Sequence, residues 1–236
     1  MNALSLFPQA ASIERKDVLA AVAILGSVTL TTLHRQACGV DNLPAVGLLT
    51  TETARVWLYF ACTVVLFGAV PYVLIKRVWR MPLSEFGVTL GDWKFGLAAN
   101  AILLPIIAVA FLLPAAQMED MRAFYPVDKA AADSMARFLP YAAGRILLFY
   151  VAWEFFFRGF LLFGLRESVG DLTAICIQVL PSVLWHIGYP TGELYSSIAG
   201  GLLFGWLAIR TRSIFWPLLL HAGIGMITDI SISFSM

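Results

Sequence analysis

Charge is scarce in this sequence. Charged residues make up 13% of the 236 residues, about half the share of an average soluble domain. So few could not cover the surface of a water-soluble globule, whereas a bilayer requires no such cover. The net charge is +1 and no basic stripe stands out, so there is nothing to neutralise a phosphate backbone and no nucleic-acid partner is expected. Cysteine is equally sparse. Cys38, Cys62 and Cys176 are odd in number and lack metal-site spacing, which suits small packing residues better than a disulfide framework. The opening stretch MNALSLFPQAASIERK has no positive region ahead of an apolar run. No cleavable signal peptide is therefore expected, and the first membrane helix would act as its own insertion signal. No internal repeat stands out.

What is present is apolar. Hydrophobic residues reach 60% and the mean hydropathy is +0.81. A membrane-spanning helix needs about 20 mostly apolar residues, and seven stretches qualify or nearly so: residues 17–33, 56–75, 95–114, 139–165, 171–187, 193–209 and 213–233. The end of the first is diluted by LTTLHRQ, and the fourth is long enough to span with tilt. The expected fold is all-α, a polytopic bundle of about seven spans forming one integral membrane domain over 1–236. Its motif-bearing core lies over 139–233. Between the second and third spans, residues 76–94 hold a proline, two glycines and an amphipathic stretch suited to an interfacial segment. Asp17, Asp171 and Glu193 fall at expected helix starts, where a carboxylate favours the positive end of the helix dipole.

Charge inside a bilayer costs about 2.5 to 3.5 kcal/mol per residue on insertion scales, so each case asks for a reason. Glu154 and Arg158 lie four apart in VAWEFFFRGFLLFG, on one helix face. They suit either an internal ion pair that locks packing or a carboxylate aimed at water. His186 follows Pro181 in QVLPSVLWHIGYP, and His221 lies in WPLLLHAGIGMITD. Either histidine alone reads as a packing residue. At 1.5 Å per residue, Glu154, His186 and His221 sit roughly 16, 22 and 12 Å from their cytoplasmic helix ends. Those depths cluster near the middle of the membrane. A carboxylate and two imidazoles there could activate water and stabilise an oxyanion, or bind a metal such as zinc.

These residues resemble the motifs of the CAAX prenyl protease and bacteriocin-processing (CPBP, or Abi) family of intramembrane endopeptidases. That family's first motif is two adjacent glutamates, three residues, then Arg and usually Gly, read here as Trp153-Glu154-Phe155-Phe156-Phe157-Arg158-Gly159. Its second, an aromatic residue followed by His at the fourth place, falls on Ser182 and His186. Its third, His followed at the fourth place by Asn or a similar residue, falls on His221 and Gly225. GGLLFGWLAIRTRSIFWPLLLH and EFGVTLGDWK extend the similarity, which is strong from 139 to 225 and faint before 80. Three departures stand out. Trp153 replaces the first glutamate, Ser182 the aromatic residue, and Gly225 has no side chain to donate a hydrogen bond. Asp229, eight beyond His221 and near its face, reads as a helix-end charge, and Thr228 precedes it.

The resemblance implies an endopeptidase cutting a membrane-embedded or lipid-anchored peptide through a glutamate-activated water. Glu154 would be the base held by Arg158, His186 would position the water and His221 would donate to the oxyanion. The three phenylalanines between Glu154 and Arg158 would pack or touch lipid rather than select substrate. No cofactor is required, with zinc left open. The competing reading is a non-catalytic membrane binding or immunity protein of the same fold, which Trp153 favours. A transporter has weaker support, since neither an inverted repeat nor paired broken helices are found. The expected location is a bacterial plasma (inner) membrane.

Lys/Arg asymmetry orients the bundle. Alternating connections give one side Arg15, Lys16, Lys76, Arg77, Arg80, Lys94, Arg166, Arg210 and Arg212, and the other Arg35, Arg55, Arg122, Lys129 and Arg137. The N-terminus is therefore expected in the cytoplasm and the C-terminus outside. With the native cysteines replaced, V78C should react with an impermeant thiol reagent only after the membrane is opened. Labelling from outside would overturn this orientation.

Overall fold

The structure is a computed structural model that describes residues 14–43 and 50–234. The signal-peptide expectation rests on residues 1–16, of which the first thirteen lie outside the described residues. Among the described residues there is no strand. Six helices are long and apolar enough to cross a membrane: α1 (Arg15–Ala37), α2 (Glu52–Val78), α3 (Trp93–Ala115), α4 (Met135–Val169), α6 (Thr191–Thr211) and α7 (Phe215–Phe234). A shorter apolar helix, α5 (Asp171–Trp185), lies between α4 and α6. This is the expected polytopic helical bundle.

Helix α4 is the hub. Over its most apolar stretch 72% of residues are buried, against 11% in α3, so α4 is surrounded by protein while α3 faces lipid along most of its length. The sequence of α4 accounts for its place. Phe156, Phe157, Phe160, Leu161 and Leu162 are fully buried, and the Phe156 ring stacks on Phe67 of α2 at 4.4 Å. Two of the three motif phenylalanines therefore pack in the core, and only Phe155 is partly exposed. Backbone bonding shifts to the wider π register over Arg145–Tyr150 and Phe155–Phe163, either side of the turn that carries Glu154. Such stretches re-aim side chains and concentrate at functional sites.

Helix α1 extends through the polar LTTLHRQ stretch, where His34 and Arg35 find partners inside the protein. His34 is fully buried; its Nε2 lies 2.8 Å from Thr63 Oγ1, and its Nδ1 accepts from Trp185 Nε1 at 3.1 Å. Helix α5 ends earlier than the apolar run predicts. At 1.5 Å per residue its 15 residues reach about 22 Å, short of a core about 30 Å thick. Gly188, with φ of +91°, and Pro190 turn the chain before α6 begins. Irregular backbone at that depth is tolerated where protein or a cavity surrounds it, and this early stop leaves His186 at the helix end.

Two sets of connections meet at opposite ends. At one, the 76–94 segment docks on the start of α7: Ile214 N donates to Gly87 O at 2.9 Å and Trp216 Nε1 to Leu90 O at 2.8 Å. Asp92 pairs with Arg210 at 2.9 Å, and the Phe95 N–H, followed by Arg210, holds its carboxyl below the usual range. Asp17 accepts from Ser168 at this end, and Asp171 pairs with Arg166, so these two carboxylates have structural partners. At the other end, Arg35 Nη2 donates to Ile187 O at 2.8 Å and Tyr125 meets Glu193.

Helix α3 is fastened to α7 by a close approach. A Cβ on Gly96 would lie 2.1 Å from Trp216 Cδ2, and Asn100 Nδ2 donates to Trp216 O at 3.2 Å. Gly96→Ala should cost about 1–3 kcal/mol by overpacking, whereas Gly192→Ala, with open space around it, should be neutral. Unfolding in detergent measures both, and equal stabilities would refute the fastening.

Candidate active site

Four helices supply the site: Trp153, Glu154 and Arg158 come from α4, Ser182 and His186 from the end of α5, Glu193 from the first turn of α6, and His221 from α7. Glu154 is fully buried. Its Oε1 accepts from Arg158 Nη1 at 3.2 Å and from His221 Nδ1 at 2.6 Å, while Oε2 has no partner among the described residues. Arg158 lies over the face of Phe204, 5.2 Å from the ring centroid. A carboxylate this deep needs such partners, because an isolated buried charge costs several kcal/mol. Since a carboxylate accepts, His221 carries its proton on Nδ1 and leaves Nε2 for other chemistry.

His186 is fixed differently. Its Nδ1 lies 2.7 Å from Ser182 O, and a carbonyl can only accept, so Nδ1 holds the proton here too. Ser182 thus serves the site through its backbone. His186 Nε2 faces Glu193 Oε1 at 3.9 Å. Trp153 stands against both imidazoles, its ring centroid 5.8 Å from that of His186 and 6.4 Å from that of His221. It forms an apolar wall beside the two imidazoles, and its indole N–H has no partner among the described residues.

A cavity of about 630 Å³ opens onto these groups. Its polar wall includes Arg145, Tyr150, His186, Glu193 and His221, and its apolar wall includes Ile107, Phe111 and Met118 of α3 and the loop after it. Arg158 and Trp153 border it as well, but Glu154 does not. Glu154 and His221 are thus brought into contact, His186 faces the same cavity, and Glu154 stands behind His221. Glu154 is fully buried, with Oε1 held by Arg158 and His221 and Oε2 enclosed by the core. No group of three His, Cys, Asp or Glu side chains among the described residues is placed to hold a metal ion.

Several residues escaped the sequence reading. Asp229 is no helix-end charge: it is fully buried and pairs with Arg145 of α4, with Tyr141 OH 3.2 Å away. Arg145 also lies over Tyr125 and Tyr150, at 5.2 and 5.4 Å. Glu193 does more than favour a helix dipole, because Tyr125 OH donates to its carboxylate at 2.6 Å. At Gly225 a Cβ would lie 1.7 Å from Tyr150 Oη, so the tyrosine hydroxyl occupies the space a side chain at 225 would fill. An arginine within a long apolar helix was the one available signal for the first of these.

Residues 135–227 match the family model described as "Type II CAAX prenyl endopeptidase Rce1-like". No curated protein and no solved structure matches the chain. The matched segment runs from the start of α4 into α7 and so contains every motif residue above. Over that segment the chain is similar to the Rce1-like CAAX prenyl endopeptidases, a membrane protease family, in agreement with the CPBP resemblance of its motifs.

Proposed function

We propose that the protein is an intramembrane endopeptidase that hydrolyses a peptide bond in a membrane-embedded or lipid-anchored substrate through a water handled by histidine and glutamate. The observation that carries this reading is the partly buried 2.6 Å hydrogen bond from His221 to Glu154, with His221 and His186 on one cavity whose other wall is apolar. Glu154 acts as a positioning residue. It fixes the tautomer and orientation of His221 and stabilises the imidazolium, as a carboxylate behind a catalytic histidine does. In its imidazolium form, His221 then donates from Nε2 to the carbonyl oxygen as negative charge develops there. Tyr150, whose hydroxyl stands in the space above Gly225, is the second donor. His186, with Nδ1 tied to Ser182 O, offers Nε2 to a proton of the attacking water.

The apolar wall from α3 suits a substrate that arrives from the bilayer, with a lipid-modified tail or a membrane helix beside the scissile bond. The proposed setting is a bacterial plasma membrane with the N-terminus in the cytoplasm. No cofactor is proposed; chelator and zinc arms of the same assay test metal dependence. A second reading, a non-catalytic binding protein of this fold, draws on Trp153 and on the enclosure of Glu154.

Glu154→Gln separates the two. The amide keeps the size and still accepts from His221, but it cannot balance an imidazolium. In vesicles holding purified protein and a farnesylated peptide ending in a CAAX sequence, cleavage located by mass spectrometry should fall at least about 100-fold in the variant, with unfolding unchanged. A variant that cuts at the wild-type rate removes Glu154 from the mechanism. A wild-type protein that binds the peptide and never cuts it favours the binding reading.

A further inference from the structure

We infer that Glu193 is the base of this site and that it holds the attacking water jointly with His186. The inference rests on the hydrolase reading above. Glu154 stands behind His221 and Trp153 has replaced the other motif carboxylate, so neither position offers an oxygen to the cavity. Among the described residues that line the cavity, Glu193 is the only carboxylate.

The geometry at Glu193 is that of a water site. Nδ1 of His186 is committed to Ser182 O, so Nε2 presents a lone pair. Oε1 of Glu193, another acceptor, lies 3.9 Å from it. Two acceptors held at that distance do not bond to each other, and a contact longer than about 3.5 Å between polar groups asks for a bridging water. A water that gives one hydrogen to each acceptor turns its oxygen lone pairs toward the cavity, where a substrate carbonyl would lie. The carboxylate itself is held still. Tyr125 OH is 2.6 Å from both oxygens, and burial, followed by the charge of Glu193, pushes the Tyr125 phenol well above its ordinary value. That hydroxyl therefore remains a donor.

The step balances without a further reactant. The water oxygen bonds to the carbonyl carbon as one of its protons passes to Glu193, and the carbonyl electron pair moves onto oxygen, facing His221 and Tyr150. Collapse re-forms the carbonyl and breaks the C–N bond while Glu193 returns its proton to the leaving nitrogen. The remaining acid proton passes to the amine, giving a carboxylate and an ammonium. Glu193 ends as it began.

The test uses the full chain in vesicles with the farnesylated CAAX peptide. Glu193→Gln keeps the Tyr125 contact and loses the ability to take a proton, so kcat should fall at least about 100-fold with KM changed less than about threefold and unfolding unchanged. Glu193→Asp should retain more rate than Gln, and Glu119→Gln, an exposed carboxylate elsewhere, should retain all of it. Wild-type kcat in Glu193→Gln, with the wild type active, overturns the role of Glu193 and leaves the hydrolase reading standing. A wild type that cuts nothing overturns that reading and the catalytic role together. A high-resolution experimental map should show a water within about 3.2 Å of both His186 Nε2 and Glu193 Oε1; a direct contact between those two atoms overturns the water site.

Discussion

A single oxygen of Glu154, enclosed in the core, is shared by Arg158 from its own helix and His221 from α7, and the arrangement of the site follows from keeping that charge satisfied. A carboxylate without water must find donors inside the protein, and removing one partner from a buried pair costs about 3–5 kcal/mol. The need for both donors ties α4 to α7 at a fixed rotation and turns the His221 ring so that one nitrogen is spent inward. Arg158 reaches its partner only because the two residues are four apart on one helix. Phe204 covers its other side, which brings α6 into the same constraint.

The second buried pair, Arg145 with Asp229, repeats this logic one level away. It joins α4 to α7 again, and it gathers Tyr125, Tyr141 and Tyr150 around a guanidinium. Between the two pairs lies the polar end of the cavity. Its opposite wall is built from α3, the helix with the least protein around it. The result is a small polar corner, crosslinked by two charge pairs, that faces an apolar channel wall.

Much of this was legible in the sequence where the signal was local. Apolar runs located the helices, and the four-residue spacing paired Glu154 with Arg158. Lys/Arg bias grouped the 76–94 and 210–212 connections, which do lie at one end. What escaped was non-local or already had an explanation. The partner of Arg145 stands 84 positions away, beyond any periodicity. Glu193 had a sufficient reason to sit at a helix start, so nothing in the sequence demanded a second one. The apolar run of α5 gave no sign of where the helix stops, because Ile187 is as apolar as the residues before it; the left-handed turn at Gly188 decides. That Glu154 stands behind His221 depends on helix rotation, which a motif does not encode.

The tyrosine above Gly225 makes two positions into one unit of variation. A side chain at 225 and the hydroxyl at 150 claim the same volume, so a change at either is conditional on the other. An asparagine introduced at 225 alone would drive its side chain into the Tyr150 ring. Read by itself, position 225 carries no polar group. Read together with position 150, the same volume holds a hydroxyl supplied by the neighbouring helix.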